Sequence, residues 1–393
     1  MTNVTLFSQI LQIIPRDAFH TAVQKFQTDK HSKGINSWTH LVAMLFCHFA
    51  KAHSVRDISN GIRSIAGNAN HLGIQKIIPS RSSISYINEH RNWHMFRELY
   101  FLMKDQIQKE GQFLQRKKFK EINRKIYMLD SSIISVCIKV FPWATYGQQK
   151  GAIKLHTMLD YDGCLPSYVF MTAASQADVR HTRYMTLPPH SVVVMDRGYQ
   201  SFTQFHEWTK QDIFFVTRLK DKINYIGVEE LALPDNTAGA ILRDERITLT
   251  EVDSRKEYHG PLRRTAVYDK EENRTIVLLS NNFSWTAETI AELYKQRWQI
   301  EIFFKELKQH LKIKSFIGTN ENAMWIQIWT ALITMLLLRY LKEKAKYGWN
   351  LSNLITFLRI NLFVKLDLQE WLDAPFVPPK DKPIPPFQFK FGF

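Results

Sequence analysis

The sequence predicts a mixed α/β protein with an all-helical N-terminal region and an inserted, mainly antiparallel β module. Three observations predict it. Apolar residues recur at three- and four-residue spacing through residues 1–110, the period of helices with one buried face. From Lys125 the pattern changes to short β-branched and aromatic runs bounded by turn residues, with helical intervals between them. Between about residues 221 and 282 the runs alternate and are parted by Pro, Asn, Asp and Gly, as in antiparallel strands.

Taken in order, helices are expected over Phe7 to Ile14, Ala18 to Phe26, Ser37 to Lys51, Val55 to Ser64 and Ile84 to Gln108. Ser54 before VRDISNGI and Pro79-Ser80 before RSSISYINEHR put small polar caps ahead of Arg-bearing turns. Two readings fit equally: a helix-turn-helix-like reader of DNA, or a helical bundle with basic solvent faces. Gln115 to Lys120, QRKKFK, reads as a basic linker. KIYMLDSSIISV, Lys154 to Asp160 and Leu165 to Ala173 read as strands, the last two joined at Asp162-Gly163, a strong hairpin signal. A helical interval after Asp178 leads to the buried run of SVVVMDRGY. Phe202 to Gln211 is expected to be helical and IFFVTRLK a strand. The β module follows, with strands over Ile223–Val228, Glu245–Val252, Arg263–Tyr268 and Arg274–Ser280. Helices then run to about Leu366, and APFVPPKDKPIPPF ends the chain as an extended arm. This divides the chain into 1–110, a linker 111–122, an α/β core of 123–220 plus 283–340, the β module 221–282 and a C-terminal region 341–393.

Composition narrows the function classes. At 393 residues the chain exceeds what one core usually supports. Hydrophobic residues at 45% and aromatics at 13% argue against disorder. Net charge is +15, and residues 1–120 hold 17 Lys/Arg against 7 Asp/Glu, a local excess that favours a polyanionic partner, most economically nucleic acid. Cys47, Cys137 and Cys164 are too few and too scattered for a disulfide framework or a zinc cluster. No signal peptide pattern opens the chain, and the apolar run Ala323 to Leu338, broken by Gln327 and Thr330, reads as a buried core helix rather than a membrane span. A cytoplasmic protein with reduced thiols is expected.

The stretch Tyr294 to Lys308, YKQRWQIEIFFKELK, organises the chemistry. Thr286 is a plausible N-cap, Glu288 suits the first turn, and no Gly or Pro intervenes before Gly318, so one amphipathic helix is expected. At about 100° per residue, Tyr294, Arg297, Glu301 and Lys308 share an arc of roughly 60°. Leu293, Ile300, Phe304, Leu307 and Leu311 fall beside it on a core-facing stripe. Taken alone, such a set is better read as a solvated face with ordinary helical ion pairs, and the rest of the chain decides between the two readings. Asp130 ends or interrupts the first strand and Asp196 follows the buried Val192–Met195 run; either alone reads as a turn residue. Meeting Glu301, however, they make an all-carboxylate set that selects Mg²⁺ or Mn²⁺ over zinc. Two such ions about 4 Å apart serve in-line displacement at a phosphodiester. Arg297 is then suited to a bidentate phosphate grip, Lys308 to a point-charge contact and Tyr294 to donating a hydrogen bond.

Asp130 in LDSS, Asp196 in MDRGY and Tyr294-x2-Arg297-x3-Glu301-x6-Lys308 resemble the DDE transposases of bacterial insertion sequences, in particular the insertion-sequence-four family with its Tyr-Arg-Glu-Lys signature. The resemblance covers roughly residues 123–340, and residues 1–75 look like the helical N-terminal domain carried by one branch of these enzymes. It implies a ribonuclease-H-like core, Mg²⁺-dependent cutting at terminal inverted repeats, joining of 3′ ends to target DNA, usually a hairpin on the excised end, and a homodimer acting near the nucleoid. It further implies that Asp130, Asp196 and Glu301 hold two Mg²⁺ ions, with Mn²⁺ able to substitute, while Tyr294, Arg297 and Lys308 contact terminal phosphates. Ser131-Ser132 stand where Gly-Thr is common in the family. Such enzymes often stack a Trp on a flipped base; Trp285 and Trp298 are the candidates, each expected to be a core aromatic. Asp178, though near the core strands, is expected not to be a ligand. The competing readings are a ribonuclease-H-like nuclease without strand transfer and a transposase-derived DNA-binding protein that no longer cuts.

Overall fold

The computed structural model describes residues 4–377 except 31, 33, 66–68, 75–76, 112–118, 120, 137–144, 147–149, 234–239 and 314. Cys137, most of the basic run Gln115 to Lys120 and the Pro-rich end beyond Val377 therefore lie outside the described residues.

Among the described residues, six α-helices open the chain: α1 (Leu6–Gln12), α2 (Arg16–Phe26), α3 (Ser37–Ala50), α4 (Val55–Ser64), α5 (Arg81–His90) and α6 (His94–Lys109). Their starts are set locally. The Asn36, Ser54 and Ser80 side chains accept the backbone amide hydrogens of Thr39, Asp57 and Ser83, each satisfying an orphan donor of the first turn. The single helix expected from Ile84 to Gln108 is two. Arg91 turns extended and donates to the Ile35 and Asn36 carbonyls, and the Asn92 side chain accepts the amide of His94 to start α6. Tertiary hydrogen bonds win over continuous helical period there.

The α/β part follows as β1 (Lys125–Val136), β2 (Thr145–Tyr146), β3 (Lys150–Asp160), β4 (Leu165–Ala173), β5 (Ser191–Met195), α7 (Phe202–Lys210) and β6 (Phe214–Arg218). Then come β7 (Tyr225–Glu230), β8 (Ile241–Leu249), α8 (Val252–Glu257), β9 (Leu262–Asp269) and β10 (Arg274–Ser280). All ten strands form one sheet, ordered β4-β3-β1-β5-β6-β10-β9-β8-β7, with β2 pairing at the start of β3. Strands β1, β5 and β6 run parallel, and the other pairings are antiparallel. An antiparallel β4-β3-β1 meander followed by parallel β5 and β6 is the ribonuclease-H-like order. The β7–β10 strands do form an antiparallel unit, and they extend this same sheet through the pairing of β10 with β6.

Period-2 alternation explains why both faces are covered. Val192 and Val194 join the core shared with the helical layers, whereas Val193 and Met195 join the opposite core with Phe205 and Trp208 of α7. On the first face lie α9 (Ala287–Gln296), α10 (Trp298–His310) and α11 (Glu321–Lys344), followed by α12 (Leu351–Asn361) and α13 (Leu368–Asp373). The N-terminal helices pack into that face too. His48 of α3 is hydrogen-bonded through Nε2 to Thr330 Oγ1 of α11 at 3.0 Å, and the Leu6 and Phe7 amides donate to the Val364 and Leu362 carbonyls. Apolar α11 is the buried core helix that the sequence predicts: among the described residues it alone is long and apolar enough to cross a membrane, and 89% of its most apolar window is buried. Its Gln327 is used inside the protein, accepting from the Ile317 amide and donating to the Ser315 carbonyl.

Candidate active site

Strand pairing puts the first two carboxylates side by side. Leu129 of β1 is paired with Met195 of β5, the last step of that parallel ladder, so Asp130 and Asp196 are the next residues on neighbouring strands. Asp130 does not end its own strand: β1 continues to Val136 along β3. It marks instead the point where the β5 partner leaves the sheet, the strand-end position at which sites gather in α/β proteins. Asp196 is extended and accepts from the Gly198 amide, opening the short 3₁₀ turn Arg197–Tyr199.

Arg297 brings the third carboxylate to them. Its Nη1 lies 3.3 Å from Asp130 Oδ2 and its Nη2 2.6 Å from Glu301 Oε1. The continuous helix expected here is interrupted at this residue. Arg297 closes α9 and opens α10, and the Ile300 amide bonds to its carbonyl at three-residue spacing. A one-residue tightening of this kind needs no Gly or Pro, so residue types give no warning of it. The helix also ends at His310, short of Gly318. The buried stripe is nevertheless the predicted one: Leu293, Ile300, Phe304, Leu307 and Leu311 all lie in the core.

The local electrostatics follow from crowding. Burial pushes the Asp130 carboxyl up to about 6, and Asp196 and Glu301 add to the rise against the opposing pull of the Ser131 amide and Arg297. For Arg297, burial lowers the pKa but Tyr294, Asp130 and Glu301 outweigh it, leaving a net rise and a fixed positive charge. Among the described residues, buried Arg297 Nε meets no acceptor. Tyr294, half-buried in the last turn of α9, has its phenol raised by burial, and its ring centroid is 5.8 Å from the Arg297 guanidinium. Lys308 lies seven residues beyond Glu301 on α10, about 10 Å along the helix axis.

Among the described residues, no three His, Cys, Asp or Glu side chains stand in an arrangement that already encloses a metal ion. The guanidinium between Asp130 and Glu301 explains this, because it holds a positive charge against two of the three carboxylates. The donor set itself, three hard carboxylates with no thiolate or imidazole among them, fits a divalent ion of the Mg²⁺ type.

The two tryptophans part company. Trp285 packs as expected, its ring edge-on to Phe214 at 5.1 Å. Trp298 is not a core aromatic: it is 59% exposed, in the first turn of α10 beside Arg297. It lies off the Ile300/Phe304 stripe, so the helix turns it outward.

Behind the carboxylates is a second polar group that the sequence reading did not assemble. Ser131 Oγ donates to Asp178 Oδ1 at 3.0 Å, and Lys154 Nζ lies 3.1 Å from the same oxygen. His156 and Tyr199 join them, Nδ1 to hydroxyl at 3.0 Å. The available signal was the i, i+2 spacing of Lys154 and His156 on β3, which places both on one face of the sheet.

Residues 122–337 match the family described as the transposase DDE domain, and residues 2–75 match a domain of unknown function (DUF4372). A protein of Geobacillus stearothermophilus named as the probable transposase for insertion sequence element IS5377 is 31% identical over 60% of this chain and 62% of its own length. Protein y4zB of Sinorhizobium fredii is 30% identical over 66% of this chain and 71% of its own, and a Synechocystis protein for insertion sequence element IS4SA is 28% identical over 74% and 80%. Both are likewise named as transposases. The chain thus spans a little under two thirds of the Geobacillus relative.

Proposed function

The chain belongs to the transposase DDE domain family, and from that premise we propose that it cuts DNA at the terminal inverted repeats of an insertion sequence and joins the 3′ ends to target DNA. The observation that carries the proposal is the convergence of Asp130 and Asp196, on neighbouring strands where β5 ends, with Glu301, linked through Arg297. Asp130, Asp196 and Glu301 would hold two Mg²⁺ ions, with Mn²⁺ able to substitute. Such ions supply activation of the attacking oxygen and stabilisation of the leaving oxygen at a phosphodiester.

The remaining roles belong to the chain's own groups. Arg297, with a spare buried donor on Nε, is set to grip a terminal phosphate. Tyr294 adds a hydroxyl donor, and Lys308 supplies a cation farther along the same helix face. Membership of the insertion-sequence-four group rests on this Tyr-Arg-Glu-Lys spacing. Residues 1–110 are assigned to DNA binding, 123–220 with 283–340 to catalysis and 221–282 to the β insertion. Basic charge in the first region supports the DNA assignment, with a homodimer pairing the two element ends.

Supercoiled plasmid carrying the element's own ends tests the proposal. Excision followed by joining supports it; nicking alone identifies a nuclease, and retardation without cutting identifies a DNA-binding derivative. The phosphate contacts have a separate readout. Lys308→Ala and Arg297→Ala should each lower the salt slope of end binding by about one unit per lost phosphate contact. An unchanged slope would make these residues structural.

A further inference from the structure

We propose that Asp178 is a positioning residue for this site, buttressing Asp130 and Asp196 from behind while Lys154 cancels its charge. The inference rests on the carboxylate set named above and assigns the polar group beside it.

Neighbouring residues on a strand face opposite ways. Asp130 faces α10 and Arg297, so Ser131 faces the other side of the sheet, where its hydroxyl donates to Asp178 Oδ1 at 3.0 Å. Register places His156 directly across from Ser131, and Lys154 two residues away on the same face. Asp178 also reaches the second carboxylate. A Cβ on Gly198 would stand 3.4 Å from Asp178 Oδ2 and 3.8 Å from Asp196 Oδ2, so the two carboxylates flank the same backbone of the MDRGY turn. Asp178 therefore touches the anchorage of both strand-end aspartates, through Ser131 on one side and past Gly198 on the other.

A further carboxylate beside the Asp196 turn needs a counter-charge, since like charges in a partly desolvated site repel. Lys154 meets it at 3.1 Å and is itself fixed by the Gln176 carbonyl at 3.0 Å. His156 does not share that task. Its ring is fully buried, stacked on Phe170 at 4.4 Å, and hydrogen-bonded to the Tyr199 and Thr172 hydroxyls. Burial, with His181 and Lys154 nearby, lowers its pKa to about 3, so it is neutral at ordinary pH. Asp178 is thus committed to the Ser131 hydroxyl and the Lys154 ammonium. Both contacts fall on Oδ1, so that oxygen is taken up inside the protein, on the face of the sheet away from Arg297 and Glu301.

The test uses the full chain with end DNA and Mn²⁺, reading bound Mn²⁺ from the electron paramagnetic resonance of the free ion and cleavage from the same mixtures. Asp178→Asn should bind the wild-type number of ions and cut about tenfold more slowly, the size usual for partners one layer behind a metal site. Lys154→Met should be worse than Asp178→Asn, because it strands a carboxylate. Combining the two should return activity to the Asp178→Asn level, the signature of a coupled pair. Ser131→Thr should keep near-normal rates where Ser131→Ala falls with Asp178→Asn. Fewer bound ions in Asp178→Asn would make it a ligand and overturn the inference; so would additive losses in the double variant, or Ser131→Ala at the wild-type rate. Wild type that neither binds Mn²⁺ nor cuts would overturn the functional reading, and this inference with it. Wild type that cuts, with Asp178→Asn indistinguishable from it, would overturn this inference alone.

Discussion

Glu301→Gln should lose cleavage of element ends by a factor of about 10³ or more while binding those ends as wild type does. Removing one anionic ligand from a metal-assisted phosphodiester site takes away several kcal/mol of transition-state charge stabilisation, and each 1.36 kcal/mol is about tenfold in rate. The substitution is nearly isosteric. Glutamine keeps an acceptor for Arg297 Nη2, now 2.6 Å from Glu301 Oε1, so the α9–α10 junction and the phosphate-facing cations stay in place. Retardation of end DNA in gels is therefore the control, because binding energy comes chiefly from phosphate contacts. Boundary cleavage by wild type alone establishes both the reaction and the third carboxylate. Cleavage by the variant at the wild-type rate would remove Glu301 from the site. Binding without cleavage by either protein would identify a DNA-binding derivative.

How much of this was legible in the sequence depends on the distance over which each feature is specified. Polar stripe, apolar stripe and strand runs are local, and Leu293, Ile300 and Phe304 are buried where the period puts them. Asp196 was legible as a strand-end residue because the buried Val192–Met195 run precedes it, and Asp130 as a carboxylate ending or interrupting an apolar strand, of which the structure shows interruption. Their meeting was not, since it depends on β1 and β5 pairing in parallel across an intervening hairpin. The two helix interruptions were missed for one reason. Arg91 and Arg297 are good helix formers whose guanidinium groups find partners elsewhere in the fold, two backbone carbonyls for the first and Asp130 for the second, beside its local pair with Glu301. Trp298 was misread because a large aromatic is usually buried, although its place on the wheel lies off the apolar stripe. Asp178 stands outside the Asp130/Asp196/Glu301 set in the sequence, and its partners Ser131 and Lys154 come from two other strands, so no local pattern names them.

Acid should destabilise the fold steeply between about pH 6 and pH 4, and buried histidines dominate the effect. His40, His48 and His156 are each fully buried, and burial is the largest cause lowering each to about 3 from 6.5. A base whose folded pKa is depressed is charged by acid only in the unfolded chain below about 6.5, so stability present above that pH is lost as pH falls toward 3. At pH 5 each histidine costs about 2 kcal/mol, or about 6 kcal/mol for the three, at 1.36 kcal/mol per unit. Asp130 works the other way. Its carboxyl, raised to about 6, takes up a proton in the folded state first, which returns on the order of 1 kcal/mol by pH 5. The histidines win, and the net loss is comparable with the whole stability of many domains. Urea midpoints at pH 7 and pH 5 measure it. His48→Gln can keep a donor toward Thr330 Oγ1 and cannot be charged, so its midpoint should fall by about two fifths less between the two pH values than that of wild type. Equal pH sensitivity in the two proteins would mean that His48 is charged in the folded state as readily as in the unfolded one, contrary to its burial between α3 and α11.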